Sequence, residues 1–153
     1  MKPRTYTDSL YYHLRITAKY MKVFGSQMFK KLKIDLSFDE FVVLDLLSKN
    51  EDICLRDLAK ILLKDRANTG RLANTLEEKG LIKINLTKRG NNPVKMLILT
   101  DLGKNIFKDS MDKIQPKINE LCGTVFNGNE EEKLVALLTD FRDKMSSVME
   151  VRI

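Results

Sequence analysis

The chain is poor in the residues that most site chemistry needs. Among 153 residues it has one histidine, His13, and two cysteines, Cys54 and Cys122. A structural zinc site takes four ligands, usually Cys or His, so three at distant positions fall short of one. Two cysteines cannot build a disulfide framework either, and they fit a reducing compartment. Glycine (7) and proline (3) are few, and no Gly-rich phosphate loop, nucleophile elbow or paired-carboxylate motif occurs. Neither catalysis nor a bound cofactor or metal is expected. No apolar run approaches the roughly 18 residues of a membrane helix, and the start, MKPRTYTDSLYYHL, has no signal-peptide stretch. With 43% hydrophobic and 31% charged residues, the composition is that of a single folded cytoplasmic domain.

Positive charge is present, and it is unevenly placed. The net charge is +6. Residues 56–95 hold ten Lys and Arg against four acids, which is +6; residues 1–55 come to +2 and residues 96–153 to −2. A basic segment concentrated in the middle of a chain is the electrostatic footprint of a polyanion binder.

Hydrophobic spacing divides the chain into helices and one hairpin. Residues 6–32 read as a long helix, with Leu14, Ala18, Met21, Gly25, Met28 and Leu32 in a 4,3,4,3,4 stripe. Tyr11, Tyr20, Val23 and Phe24 lie off that stripe, which predicts more than one neighbour. Ser37 with Glu40 three residues on is a capping box opening the next helix, whose inner face is Phe41, Leu44 and Leu47. LRDLAKILL, 55–63, is a short helix with Leu58, Ala59 and Leu62 inward. Another starts after Asp65 as N-cap and ends at Gly80 in the left-handed C′ position.

Two runs, 81–88 and 94–100, alternate as half-buried strands, with Ile82, Ile84 and Leu86 on one side of the first. RGNNP between them is turn chemistry, so they pair as an antiparallel hairpin. Phe107, Met111, Ile114, Ile118, Leu121 and Val125 repeat the 4,3,4,3,4 spacing on a helix over 101–125, where Pro116 is a candidate bend. Cys122 beside that stripe reads as core. Asn129 and the three glutamates after it start a last helix carrying Leu134, Leu137, Leu138, Phe141, Met145 and Val148.

Short helices followed at once by a basic hairpin make a mainly α fold, a winged helix-turn-helix over 36–100. In this motif the second helix of the turn pair enters the major groove and the hairpin reaches the neighbouring backbone or minor groove. The stretch DRANTGRLANT suits that task. Arg reads guanine edges, Asn reads adenine, and Thr meets phosphate or a thymine methyl. Arg66, Asn68, Thr69, Arg71, Asn74 and Thr75 are the candidate readers of double-stranded DNA. Lys88, Arg89 and Lys95 are the candidate wing contacts.

LSFDEFVVLDLLSKN, LRDLAKILLKDRANTGRLANTLEEKGLIKI and MLILTDLGKNIF together resemble the MarR family of bacterial transcriptional regulators, over roughly residues 36–107. The carrying pieces are Leu58-Ala59, Asp65-Arg66, Arg71-Leu72, Leu76 to Ile82 and Leu99 to Gly103. The resemblance implies a homodimer on a pseudo-palindromic operator, usually a repressor, dimerising through helices at 6–32 and 101–150. It also implies a cleft for a small aromatic or phenolic effector, for which Phe38, Phe41, Met21 and Met28 are candidate lining residues. Leu63 stands where the family's turn has Gly, and Lys64 where an apolar residue is usual. Asn68-Thr69-Gly70 replaces its Thr-Val-Ser, and the wing lacks its D-x-R signature. These departures bear on the operator sequence more than on the fold. Two alternatives stay open: a redox-sensing regulator switched through Cys54, at the start of a helix, and a winged-helix protein-interaction module that binds no DNA.

Overall fold

The computed structural model describes residues 5–149. A 3₁₀ turn at Tyr6–Asp8 leads into α1 (Leu10–Lys31), then α2 (Phe38–Lys49), α3 (Leu55–Leu62) and α4 (Arg66–Glu78). The hairpin β1 (Ile82–Arg89) and β2 (Asn92–Leu99) follows, and then α5 (Asp101–Val125) and α6 (Glu130–Val148). The first helix is shorter than its periodicity suggests. Ser9 accepts the Tyr12 N–H at 3.2 Å and caps α1, so residues 6–8 form a separate turn. No helix among the described residues is long and apolar enough to cross a membrane.

Local chemistry sets most other helix ends as the sequence indicates. Ser37 Oγ accepts the Glu40 N–H at 3.1 Å, and the Glu40 carboxylate accepts the Ser37 N–H at 2.7 Å. Glu40 is buried, and its carboxylate pairs with Lys79 Nζ at 3.0 Å. Lys79 also donates to the Asp35 carbonyl at 3.3 Å. A buried carboxylate needs such a partner, and here the pair joins the start of α2 to the end of α4. The last helix begins differently from expectation. Asn129 makes no side-chain cap bond, and instead Glu130 reaches back to accept the Asn127 N–H at 2.7 Å.

Between α3 and α4 the chain turns through Leu63 at φ 50°, ψ 42°. A β-carbon in this left-handed region costs on the order of 1–3 kcal/mol, and the fold holds Leu63 there because the Lys64 N–H reaches back to the Ala59 carbonyl at 3.0 Å. Lys64 then pairs with Asp39 of α2 at 2.9 Å. The turn thus takes the left-handed conformation that glycine usually supplies, with leucine in its place.

One hydrophobic core lies under α2, α3, α4 and the base of the hairpin. Val43, Leu44, Leu47, Ile53, Leu58, Ala73, Leu76, Leu81, Ile82 and Leu97 fill it. Phe29 of α1 and Ile114 of α5 reach in from the long helices. Phe41 sits between Phe29 and Phe107, with centroids at 5.7 Å and 5.2 Å. The apolar stripe of α1 is only partly covered in the single chain. Phe29, which lies off it, is the residue α1 buries; Met28 and Leu32 are half-buried and Met21 is exposed. Ile118, Leu121 and Val125 of α5 are likewise exposed, Cys122 is only half-buried, and α6 buries none of its residues.

The strands run further than their composition suggests. Arg89 pairs with Asn92, leaving a two-residue loop, Gly90-Asn91, with Gly90 at φ 64°. Glycine suits the first loop position of a tight hairpin because L-residues avoid positive φ. Only the base of β1 is covered. Ile82 is buried and Ile84 half-buried, whereas Leu86 is 77% exposed. The hairpin also has a third partner without sequence signature: Cys54 bridges to Met96, and the Leu97 N–H donates to the Ile53 carbonyl at 3.1 Å.

The hairpin's two ends are locked to α4 and α5 at one junction. Gly80 closes α4 at φ 72°. Thr100 Oγ1 lies 2.7 Å from the Gly80 carbonyl and 3.0 Å from the Leu81 carbonyl, and it accepts the Gly103 N–H at 3.0 Å. The Thr100 N–H donates to Leu81 O at 3.1 Å. Gly103 is packed so closely that a β-carbon there would lie 2.1 Å from the Leu81 carbonyl oxygen. This is the physical content of the Gly80-Leu81 and Thr100-x-x-Gly103 pieces. Gly103→Ala must push α5 off the hairpin and should cost about 3 kcal/mol in urea unfolding; wild-type stability in that variant would mean the junction is not so packed.

Candidate nucleic-acid interface

α4 owes its two-sidedness to its spacing. Thr69, Ala73 and Leu76 are buried and Leu72 is half-buried, all toward α3 and β1. Arg66, Asn68, Arg71, Asn74 and Thr75 are exposed. Thr69 is the correction. It is fully buried, and its hydroxyl donates to the Asp65 carbonyl at 2.8 Å, so it secures the first turn of the helix and offers nothing to a groove.

The exposed side chains are partly organised by each other. Asp65 accepts the Asn68 N–H at 2.7 Å and also takes a bond from the Asn68 amide. The Asn68 side-chain oxygen accepts from Arg71 Nη2 at 2.6 Å. The Asn68 amide groups, with the Arg71 charge behind them, hold the Asp65 carboxyl below the usual carboxylate range. This Asp65–Asn68–Arg71 chain orients the guanidinium before any ligand arrives. Thr75 donates its hydroxyl hydrogen to the Arg71 carbonyl at 3.0 Å, which leaves its methyl and the acceptor lone pairs of its oxygen unused. Among the described residues Arg66 is in no ion pair.

Strand alternation sorts the wing. Lys88 and Arg89 are adjacent in β1 and must face opposite sides. Lys88 shares a face with Leu86, whose cross-strand partner is Lys95, so the two lysines lie together and are exposed. Arg89 turns back to the body. Its Nη1 lies 3.0 Å from Asp57 and its Nη2 3.2 Å from Asp52. The expected phosphate contact by Arg89 is thus replaced by an internal clamp, which pins the hairpin to the start of α3.

Cys54 lies inside that clamp. It is buried, its thiol donates to Asp57 at 3.1 Å, and Arg89 Nη1 is 4.0 Å from its sulfur. The Cys54 thiol and N–H, aided by Arg89, hold Asp57 below the usual carboxylate range. An oxidant sensor needs an accessible thiolate, and a buried thiol donating to a carboxylate is a structural cap instead. The half-buried Cys122 thiol is pushed up by burial and by the nearby Glu131.

A cleft of about 350 Å³ opens between the α1–α2 connection and α5. Ile34, Leu36, Leu102 and Ile106 line it, with Lys33 and Lys113 among its charged groups. The expected lining residues are elsewhere. Phe41 is stacked in the core, Phe38 is 68% exposed, and Met21 and Met28 do not border the cleft.

This arrangement of core, turn, helix and wing defines a winged helix-turn-helix protein. The description of a winged helix DNA-binding domain matches residues 40–118, just over half of the chain, and the protein belongs to that family. Its fold is that of MarR-family regulators. It superposes on a MarR/EmrR family transcriptional regulator from Acinetobacter sp. ADP1 with a TM-score of 0.75 and 22% identity, over 89% of this chain and 94% of that one. For Staphylococcus aureus MepR in its DNA complex the TM-score is 0.73 at 20% identity, covering 92% and 99%. For Bordetella bronchiseptica BpsR, whose DNA binding is regulated by 6-hydroxynicotinic acid, it is 0.70 at 20% identity, covering 92% and 98%. By sequence, no curated protein matches significantly.

Gly70 occupies a telling position. It lies four positions after Arg66 and four before Asn74, so all three share one stripe of α4. A β-carbon at Gly70 would meet nothing within 4 Å, so the protein's own packing gives no reason for glycine. Gly70→Ala should therefore stabilise α4 by about 1 kcal/mol and raise the melting temperature by about 2–4 °C. A lower melting temperature would show that the helix is strained there.

Proposed function

We propose that the protein is a sequence-specific double-stranded DNA-binding transcriptional regulator, acting as a homodimer on a pseudo-palindromic operator and serving as a repressor. The observation that carries this reading is the outer side of α4. It gathers Arg66, Asn68, Arg71, Asn74 and Thr75, side chains suited to base edges and phosphates, and among the described residues no element covers that side. Lys88 and Lys95 on the exposed wing face are the matching contacts to the phosphate backbone or minor groove.

The dimer reading rests on apolar surface left uncovered in the single chain. Met21, Val23 and Phe24 of α1, Leu121 and Val125 of α5, and Leu134, Leu137 and Val148 of α6 are all exposed. Many exposed large apolar side chains on long helices mark association faces. A second copy of the chain covers them, and the two α4 helices then meet successive major-groove segments. The parts 6–32 and 101–150 are the dimerisation elements and 36–100 is the DNA-binding part. The cleft beside α5 suits a small aromatic or phenolic effector, since its apolar walls accept a ring and Lys33 an acidic group.

Arg71→Ala should lose about 1–3 kcal/mol of operator affinity in a gel-shift titration, with the loss confined to preferred sequences. Equal affinity in the two proteins would remove Arg71 from the interface. Unselective binding by the wild type, no stronger than charge alone supplies, would favour the protein-interaction reading.

A further inference from the structure

A second, smaller cleft of about 160 Å³ lies where the wing meets α3 and α4. The buried Cys54 and Val94 form its apolar floor with the half-buried Leu55, and the exposed Pro93, Arg56, Arg66 and Lys95 complete its lining. The three cations come from three different elements, α3, α4 and β2, and among the described residues no carboxylate lines the space. Among the described residues none of the three is in an ion pair. The acids nearest in sequence to the floor, Asp52 and Asp57, are both taken by Arg89. Like charges gathered without a counter-charge repel one another, and the arrangement is relieved by an anion between them.

We propose that this cleft seats one backbone phosphate of the bound duplex, with Arg56 as its principal ligand and Arg66 and Lys95 at its sides. The proposal rests on the DNA-binding reading above. Arg66 opens α4, so the cleft borders the groove-reading surface, and a phosphate held there fixes how far that helix enters the groove. The apolar floor strengthens the contact because a guanidinium–phosphate pair gains as the local dielectric falls. Arg89 is the positioning residue. By holding the hairpin on the start of α3 it shapes the cleft, and by neutralising Asp57 it keeps a carboxylate from opposing the phosphate.

The test is a titration of a mixed-sequence duplex over a range of salt with wild type, Arg56→Ala and Arg56→Lys, each checked for unchanged melting. Arg56 is exposed, so its loss should leave the fold intact. Arg56→Ala is expected to weaken binding about tenfold at low salt and to flatten the log K against log salt slope by about 0.9. Arg56→Lys should recover most of that slope, since it keeps the charge. A wild-type slope in Arg56→Ala overturns the cleft assignment while leaving DNA binding by α4 standing. A wild type that binds no duplex overturns both. In a parallel melting series with inorganic phosphate, stabilisation of the wild type without any duplex binding would assign the cleft to a free anion and overturn the backbone contact.

Discussion

The working surface depends on how α4 is held: by one side only. Ala73 and Leu76 are in the core, Thr69 is tied back to Asp65, and Glu77 accepts the Ile84 N–H of the wing at 2.8 Å. Lys79 reaches the buried Glu40. These contacts leave the helix few ways to rotate, so the side carrying Arg66, Gly70 and Asn74 stays outward. A helix that buried both sides would have no reading surface, and one that buried neither would have no defined aim.

The wing is placed by the same economy of contacts. Its base is anchored by Ile82 and Leu97 in the core and by the Leu81, Thr100 and Gly103 junction. Its outer end is anchored by Arg89 on Asp52 and Asp57. Between these two fastenings Leu86 and Lys88 are exposed, and Lys95 borders the cleft against α3 and α4. Half-exposed ion pairs contribute little to stability, so the value of the Arg89 pair lies in where it puts the hairpin.

What the sequence made legible is what short-range chemistry decides. The Ser37 and Glu40 box, the Asp65 cap and the Gly80 stop all depend on neighbours within a few residues, and each stands where its pattern puts it. The features that escaped are set by partners far along the chain. Thr69 has the composition of a DNA contact but falls on the helix side facing the core. Arg89 has the charge of a wing residue, yet strand alternation turns it toward acids 32 and 37 positions away. The bridge between Cys54 and Met96 involves a segment too short for any alternation to register. The apolar stripes of α1, α5 and α6 were read correctly as stripes, but a single chain leaves much of them bare, because periodicity says that a face is apolar and not what covers it.

The central claim is that two copies of this chain present paired α4 helices to duplex DNA. Selection of bound duplexes from a random-sequence pool tests it most directly. The account predicts a recovered site with two-fold symmetry and half-sites about 10 base pairs apart, or a multiple of that spacing. A pool recovered without sequence preference, or a preferred site with no symmetry, would contradict it.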